Sequence, residues 1–353
     1  MTFSAGISAL QGKALTLQTK KQNRQARIMQ EKLKIVFMGT PDFAVPSLEA
    51  LIESRHEVVG VVTMPDKAVG RHHDVLQASP VKQCALKHGL PVLQPEKLKD
   101  EAFLSQLRAL GADLQVVVAF RMLPEVVWGM PKLGTFNLHA ALLPQYRGAA
   151  PINWAIIHGD DKTGVTTFWL DHQIDTGRII CQEEIPIGPE ECAGDIHDRM
   201  MEQGAALVCK TANMIADGEA TSVPQDQFMT DEPLRPAPKI FKDTCQIRWS
   251  ELDVQQAHDF IRGLSPYPAA WTTLKEPSGK QIVMKIYRSQ IEKAKHNMPN
   301  GTLESDGKNW IRVALEGGYL KLTELQLAGK KRLQTEDFLR GARIEGCRLI
   351  QID

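Results

Sequence analysis

A carboxamide and an imidazole stand two positions apart in the middle of the chain, as Asn137 and His139. The apolar residues Phe136 and Leu138 alternate with them, which predicts a short strand over residues 135–139. Since side chains alternate along a strand, Asn137 and His139 share the face opposite the apolar pair. A hydrogen-bond donor beside a proton-transfer group can stabilise the negative charge that develops during acyl transfer.

A third polar residue, Asp175, lies in the predicted turn Asp175-Thr176-Gly177. A carboxylate beside a histidine favours the charged ring and fixes its orientation. No serine or cysteine accompanies the three residues, which disfavours a covalent route. We therefore expect acyl transfer in which the substrate brings its own nucleophile. Each signal alone is weak, because a histidine at a strand end is more often structural and Asp-Thr-Gly is more often only a turn.

Elements that would position this set are visible on both sides of it. The apolar run 35–38, a helix opened by residues 40–42 and the run 57–63 form a predicted βαβ unit, so we expect a parallel sheet. A central strand is predicted over 115–120, and the Asn137/His139 strand follows it. In such sheets ligands bind at the carboxyl ends of the strands, where these two residues lie.

Further elements complete this half of the chain. The runs 164–170 and 178–185 predict a strand pair around the Asp175 turn. A helix is predicted from Ser79 to His88, opened by Ser79-Pro80. We also expect Asp195 to cap a long helix that ends near Gly218.

Four prolines mark a change of organisation after residue 223: Pro224, Pro233, Pro236 and Pro238. This composition predicts a stiff linker over 224–242. A helix over 254–262 and several short strands follow, at 270–274, 281–288, 310–315 and 319–326, which is typical of a small β-barrel. We therefore expect an α/β domain with an open sheet over 32–223 and a β-barrel domain over 243–353.

Composition and short motifs bear on the protein's partners, its relation to membranes, its cysteines and nucleotide binding. The 353 residues carry no net charge, yet residues 236–353 hold 19 Lys+Arg against 14 Asp+Glu, which favours a polyanionic partner for that half. No apolar run is long enough to span a membrane, and the six cysteines show no regular spacing. We expect reduced thiols in a cytoplasmic protein. Gly39-Thr40-Pro41-Asp42 after the first strand matches neither a dinucleotide fingerprint nor a phosphate-binding P-loop.

The start of the chain has its own composition. Residues 1–30 carry five basic residues and no acidic one. A transit peptide and an upstream start codon, with Met29 as the working initiator, are both open interpretations, and the position of Met29 favours the second. In either case we expect a disordered extension over residues 1–31.

The combination of motifs resembles the folate-dependent formyltransferases. The quoted residues are Asn137-Leu138-His139, Leu142-Leu143-Pro144, Tyr146-Arg147-Gly148 and Asp175-Thr176-Gly177. Further segments indicate those members that formylate the methionine on initiator tRNA, and the resemblance covers residues 33–353. These segments are Phe37-Met38-Gly39-Thr40-Pro41-Asp42-Phe43-Ala44, Ser79-Pro80-Val81-Lys82, Ala149-Ala150-Pro151, Ala237-Pro238-Lys239-Ile240, Lys330-Lys331-Arg332 and Asp337-Phe338-Leu339-Arg340-Gly341.

The resemblance implies a Rossmann-like catalytic domain, an oligonucleotide-binding-like (OB-like) barrel and 10-formyltetrahydrofolate as co-substrate, without a metal. It implies a catalytic role for Asn137, His139 and Asp175. It places a folate against Ala141, Leu142, Leu143, Pro144, Phe120 and Met122, and the tRNA against Arg71, Lys330, Lys331 and Arg332. We expect initiator methionyl-tRNA as the macromolecular partner, no membrane association, and a monomer.

Several positions depart from the family pattern, and two of them bear on the folate. Ala141 stands where the family usually has serine, which predicts the loss of one hydrogen bond near the folate, although the loop backbone could still serve. Arg121 stands where a glycine is usual and puts the pterin contact in question. Two other hypotheses stay open: formyl transfer to a small amine, such as glycinamide ribonucleotide or an amino-sugar nucleotide, and a non-enzymatic RNA-binding protein that keeps the fold.

Overall fold

The structure, a computed structural model, describes residues 32–69 and 75–350. Two sheets dominate this part of the chain, one within residues 34–186 and one within residues 270–350. The predicted open α/β sheet followed by a small barrel is confirmed. The extension expected over residues 1–31 and the predicted tRNA residue Arg71 lie outside the described residues.

The first sheet has seven strands among the described residues, in the order β5-β2-β1-β6-β7-β8-β9. Five strands from β5 to β7 run parallel, as the βαβ unit predicted, whereas β8 and β9 are antiparallel to their neighbours, so the expectation of a parallel sheet does not extend to this edge. The strand pair predicted around the Asp175 turn is confirmed as β8 and β9. The connection over residues 170–178 returns the chain beside β8 without the crossover that a parallel strand needs. The strands are β1 Lys34–Gly39, β2 Glu57–Val62, β5 Val92–Leu93, β6 Leu114–Val118, β7 Thr135–His139, β8 Lys162–Trp169 and β9 Ile179–Pro186, and a separate hairpin joins β3 Lys67–Val69 to β4 Val75–Gln77.

Helices cover both faces of this sheet. Ile35 and Phe37 pack toward α1, α2 and α6, and Val36 and Met38 pack toward α3 and α4, which is why β1 is a continuous apolar run. The bounds are α1 Val45–Glu53, α2 Pro80–Lys87, α3 Glu101–Ala109, α4 Glu125–Trp128, α5 Pro151–Ile157 and α6 Ala193–Ala216.

Of the two predicted helix N-termini, the one at Ser79 is confirmed and the one at Asp195 is wrong. Ser79 caps α2 as predicted, since its hydroxyl accepts a hydrogen bond from the Lys82 backbone N–H at 3.0 Å. Asp195 does not occupy the cap of α6. It lies inside the first turn, where its carboxylate accepts a hydrogen bond from the backbone N–H of the cap residue Cys192 at 2.8 Å.

The second sheet is antiparallel and nearly closes into a barrel, because β12 and β16 at its two ends approach each other. Its strands follow the order β12-β13-β14-β11-β10-β16, and β15 pairs with β14. The four predicted strands are confirmed: three extend beyond their predicted bounds, and the strand predicted over 310–315 begins one residue later, at Ile311. Strands β12, β15 and β16 are additional. The elements are α7 Val254–Leu264, β10 Ala270–Lys275, β11 Gln281–Glu292, β12 Thr302–Ser305, β13 Ile311–Leu315, β14 Gly318–Leu327, β15 Leu333–Gln334, α8 Thr335–Gly341 and β16 Arg348–Ile350.

The proline-rich segment 224–242 lies against the first sheet's loops and is not a free spacer. The Ala237 N–H donates to the Arg147 carbonyl at 2.8 Å, and the Ala237 carbonyl accepts from the Ala149 N–H at 2.7 Å. A Cβ at Gly148 would come within 2.4 Å of the Ala237 carbonyl oxygen, so glycine permits this close approach. The segment therefore holds the loop that follows β7. The domain limits at 223/224 and 242/243 stay a prediction.

Helix α7 joins the barrel to the first sheet's helices. The Asn153 side chain on α5 donates to the Gly263 carbonyl at 2.7 Å, and the His258 ring contacts the Pro189 carbonyl at 3.1 Å. Arg262 donates to the Glu191 carbonyl at 3.1 Å and pairs with Asp259 at 2.7 Å in a buried position. These contacts fix α7 against the loop before α6.

Two sequence expectations concern the whole chain. All six cysteines lie in the described residues and are free thiols, as expected. No helix within 32–69 or 75–350 combines the length and apolar character needed to cross a membrane.

Candidate active site

The predicted strand β7 delivers Asn137 and His139 to one cavity at the carboxyl edge of the sheet. The cavity has a volume of about 840 Å³, and both residues line it together with Asp175. Phe136 and Leu138 lie in the core on the other face, as the alternation predicted. The structure therefore brings the three predicted catalytic residues together.

His139 is 6% exposed and is held through one ring nitrogen. Its Nε2 lies 2.8 Å from the backbone carbonyl oxygen of Tyr146. Since a carbonyl can only accept a hydrogen bond, Nε2 must carry the proton. The second nitrogen, Nδ1, faces Asp175 and carries a proton only when the ring is charged.

Asp175 lies beside this nitrogen without a direct hydrogen bond. Its Oδ2 is 3.9 Å from His139 Nδ1, which is beyond hydrogen-bond distance but close enough for charge attraction. The same oxygen accepts a hydrogen bond from the Gly148 N–H at 3.0 Å. Hydrogen bonds at active sites are often longer before substrate binds, so the carboxylate lies where it can approach the ring.

The backbone around Asp175 is unusual. Asp175 has φ +55°, in the left-handed region that non-glycine residues seldom adopt. Two positions later, a Cβ on Gly177 would lie 1.6 Å from the Trp169 carbonyl oxygen, so only glycine fits. The predicted Asp-Thr-Gly turn is therefore a close backbone crossing that aims the carboxylate at the cavity.

Asn137 carries an unpaired polar atom. Its Oδ1 is buried and has no hydrogen-bond partner within the described residues. Buried side-chain oxygens are usually satisfied, so an unpaired amide on a cavity wall indicates a group reserved for a ligand. The amide can turn to present a donor to an oxygen atom in the cavity.

The rest of the cavity wall is largely apolar. The predicted cofactor residues Phe120 and Met122 line it, and Met122 is 70% exposed. The guanidinium of Arg121 is held by the carbonyls of Pro95 and Glu96, so it fastens the loop after β6 to a neighbouring loop. Flat apolar walls of this kind suit an aromatic ring system.

The predicted cofactor segment Ala141, Leu142, Leu143 and Pro144 is not part of the cavity wall. Thr166 accepts from the Leu143 N–H at 3.2 Å and donates to the Ala141 carbonyl at 2.6 Å, and Gln182 donates to the Leu143 carbonyl at 2.8 Å. These polar groups of the loop backbone are thus already paired inside the protein. Ala141 is fully buried in an apolar cluster, so a serine hydroxyl at this position would not face the cavity.

The predicted tRNA residues of the barrel lie in the turn between β14 and β15. Lys330, Lys331 and Arg332 are all exposed there. Arg332 pairs with Glu324 at 2.5 Å and lies over the Tyr287 ring at 4.0 Å. Lys330 and Lys331 present their charge to solvent, while that of Arg332 is partly neutralised.

Three contributors to the site were missed by sequence reasoning: the Tyr146 carbonyl, the Gly148 N–H and the side chain of Gln225. Tyr146 and Gly148 lie in the quoted motif, but the roles of their backbone groups cannot be predicted from the residue types. Gln225 follows the first linker proline, and nothing in the sequence distinguishes it from other polar linker residues.

One group of three candidate metal ligands stands out in the described residues. Glu49, Cys84 and His88 each place one ligand atom within 4.8 Å of the others. None of the three lines the cavity.

Family comparisons agree with this architecture. Residues 33–211 match the model of the formyl transferase family, and residues 239–343 match that of the formyl transferase C-terminal domain. The chain is 61% identical over 312 residues to a methionyl-tRNA formyltransferase of Parabacteroides distasonis, which covers 88% of this chain and 96% of the relative. It is 57% identical over 311 residues to the same enzyme of Bacteroides fragilis, covering 88% and 95%.

Solved structures share the fold at low sequence identity. WlaRD, a sugar 3N-formyl transferase solved with dTDP and 5-N-formyl-THF, has a TM-score of 0.59 at 18% identity and covers 85% of this chain and 100% of that one. HypX from Aquifex aeolicus, solved with tetrahydrofolic acid, has a TM-score of 0.58 at 16% identity, covering 88% and 47%.

Proposed function

Because the chain belongs to the formyl transferase family, as one of its methionyl-tRNA formyltransferases, we propose that it transfers a formyl group from 10-formyltetrahydrofolate to the α-amino group of methionine on initiator tRNA. The observation that carries the mechanism is the convergence of Asn137, His139 and Asp175 on one cavity. No serine, cysteine or lysine is among the described residues that line it, which favours direct attack by a substrate amine over a covalent intermediate on one of these residue types.

The amine attacks the formyl carbon directly. An α-amino group has a pKa near 8, so a fraction of about one tenth is neutral at pH 7 and can attack. The new C–N bond pushes the carbonyl electron pair onto oxygen. That oxygen then carries the negative charge which the site has to stabilise.

Two groups are placed to stabilise this oxygen. The Asn137 amide oxygen has no hydrogen-bond partner in the described residues, so turning the amide to point an N–H at the ligand would break no hydrogen bond made by that oxygen. His139 can donate from Nδ1 only as a charged ring, because its Nε2–H is used on the Tyr146 carbonyl. The Asp175 carboxylate lies 3.9 Å from Nδ1, where its negative charge would face the charged ring.

Collapse of the intermediate breaks the bond between the formyl carbon and the folate nitrogen. The attacking nitrogen loses a proton, and the departing folate nitrogen gains one. Asp175 lies on the cavity wall and can assist the first transfer, while the His139 Nδ1–H can assist the second. No covalent enzyme intermediate is required.

The cavity suits a folate and the barrel turn suits a tRNA. A volume of about 840 Å³ lies in the range of pockets that enclose drug-sized ligands, and Phe120 and Met122 supply apolar wall. The exposed cations Lys330 and Lys331 suit contacts with the phosphate backbone. Arg71, which lies outside the described residues, is proposed to meet the acceptor end.

The deciding experiment offers several amines to the purified full chain. Methionine-charged initiator tRNA, an amino-sugar nucleotide and glycinamide ribonucleotide are each incubated with 10-formyltetrahydrofolate. We expect formylation of the charged tRNA alone. Formylation of a small amine with the tRNA left unmodified would replace the proposal, and tRNA binding without any transfer would support a non-enzymatic RNA-binding protein.

A further inference from the structure

We propose that Gln225, in the segment that leads to the barrel, is a positioning residue that holds the Asp175 carboxylate against His139. This inference rests on the proposed catalytic roles of Asp175 and His139. Gln225 does not line the cavity and would act only through other residues. It lies in a short 3-10 helix over Gln225–Phe228, directly after Pro224.

The Gln225 side chain is buried, with 4% exposure, and both ends of its amide are occupied. Its Oε1 accepts hydrogen bonds from Arg147 Nε at 3.1 Å and from Arg147 Nη2 at 2.6 Å. Its Nε2 donates to the Asp175 carbonyl at 2.9 Å and to the Gly177 carbonyl at 2.8 Å.

These partners determine which way the amide points. A guanidinium can only donate, and the two carbonyls can only accept. The oxygen must therefore face Arg147 and the nitrogen must face the Asp175 turn. All four contacts are made only in this orientation.

The contacts close a ring around the catalytic carboxylate. Gln225 holds the backbone of Asp175 on one side and the side chain of Arg147 on the other. Arg147 is followed by Gly148, whose N–H donates to the Asp175 carboxylate at 3.0 Å. One buried side chain thus fixes both the peptide that carries the carboxylate and the backbone donor that orients it.

These contacts are needed because the backbone conformation of Asp175 is unfavourable by itself. Its φ of +55° lies in the left-handed region, and a residue held there persists only when its surroundings determine it. Without the two donors from Gln225, the turn can relax and move the carboxylate away from His139. A displacement of about 1 Å at a catalytic group can cost about a hundredfold in rate.

The test measures single-turnover formyl transfer to charged initiator tRNA for Gln225→Ala and Gln225→Glu. The glutamate variant keeps the shape and the acceptor for Arg147 but loses both donors to the Asp175 turn. We expect both variants to lose about 10- to 100-fold in rate, with KM for each substrate within about twofold of wild type. Gln227→Ala, an exposed neighbour on the same 3-10 helix, should keep the wild-type rate.

A double-mutant cycle with Asp175→Asn separates positioning from general damage. If Gln225 acts through the carboxylate, Gln225→Glu should lower the rate of Asp175→Asn by less than about threefold further. The inference would be overturned if Gln225→Glu lowered the rate of Asp175→Asn by the same factor as it lowers the wild-type rate. It would also be overturned if both Gln225 variants kept the wild-type rate, or if neither variant folded. An inactive wild type, or an Asp175→Asn variant with full activity, would instead reject the proposed function.

Discussion

The amide of Asn137 provides the sharpest quantitative prediction. Asn137→Ala removes the one carboxamide on the cavity wall that comes from strand β7, and shortens the side chain without changing the backbone. In the described residues its Oδ1 has no partner, so no protein hydrogen bond to this oxygen is broken. The change therefore tests catalysis with little expected effect on folding.

Asn137→Ala should lower kcat strongly but change the free energy of unfolding little. Loss of one donor to a developing oxyanion costs about 10²- to 10³-fold in kcat, or about 2.7–4 kcal/mol. The free energy of unfolding should change by less than about 1 kcal/mol, because an already unsatisfied polar atom is removed. KM for both substrates should stay within about twofold, since the interaction forms in the transition state.

The assay measures steady-state formyl transfer over a range of concentrations of each substrate, which gives kcat and KM, beside urea unfolding of the same preparations. Gln106→Ala, which removes an exposed carboxamide on α3, serves as the matched control and should keep the wild-type rate. A loss of less than about tenfold in kcat, or a loss fully explained by unfolding, would refute the assignment of Asn137 as an oxyanion donor.

Three further predictions follow from separate features. Gly177→Ala should lower the free energy of unfolding by at least about 2 kcal/mol in urea titrations, because its Cβ would meet the Trp169 carbonyl. The control Gly279→Ala, whose Cβ would have no atom within 4 Å, should lower it by about 1 kcal/mol. Equal losses in the two variants would contradict the reasoning. Replacing Lys330 and Lys331 by Ala should lower the slope of log tRNA affinity against log salt by about 1.5, whereas an unchanged slope would remove them from the interface. Burial lowers the pKa of His56, so the folded state binds fewer protons than the unfolded state and stability should fall as pH drops below about 6.5. His56→Gln should reduce the difference between the urea midpoints at pH 8 and pH 5.5, and an unchanged difference would count against a contribution from His56.

Strand β7, which bears Asn137 and His139, could be predicted because the alternation of apolar and polar residues is a local pattern. Alternation along residues 135–139 placed Asn137 and His139 on one face, and the apolar runs placed that strand inside the sheet. The Asp175 turn could be predicted from Asp-Thr-Gly alone. Its approach to His139 required the family resemblance, because the two residues are 36 positions apart.

Other parts of the site depend on contacts that residue types do not encode. The prolines after residue 223 predicted a stiff spacer, yet Ala237 and Gln225 bind Arg147 in the loop after β7, through backbone groups and a side-chain amide respectively. Tyr146 has a φ of +60° and contributes its backbone carbonyl to His139, and neither feature can be recognised from the residue type. The inward orientation of Ala141 follows from its packing against other buried residues, which no local pattern specifies.

The central claim is that His139 acts on the transferring formyl group and does not merely hold the fold. The most direct measurement compares His139→Ala with wild type in single-turnover transfer and in equilibrium binding of charged initiator tRNA and of the folate. The mechanism predicts a rate loss of at least about a hundredfold with both affinities within about twofold of wild type. Affinities that fall as much as the rate would contradict it and assign His139 a structural role.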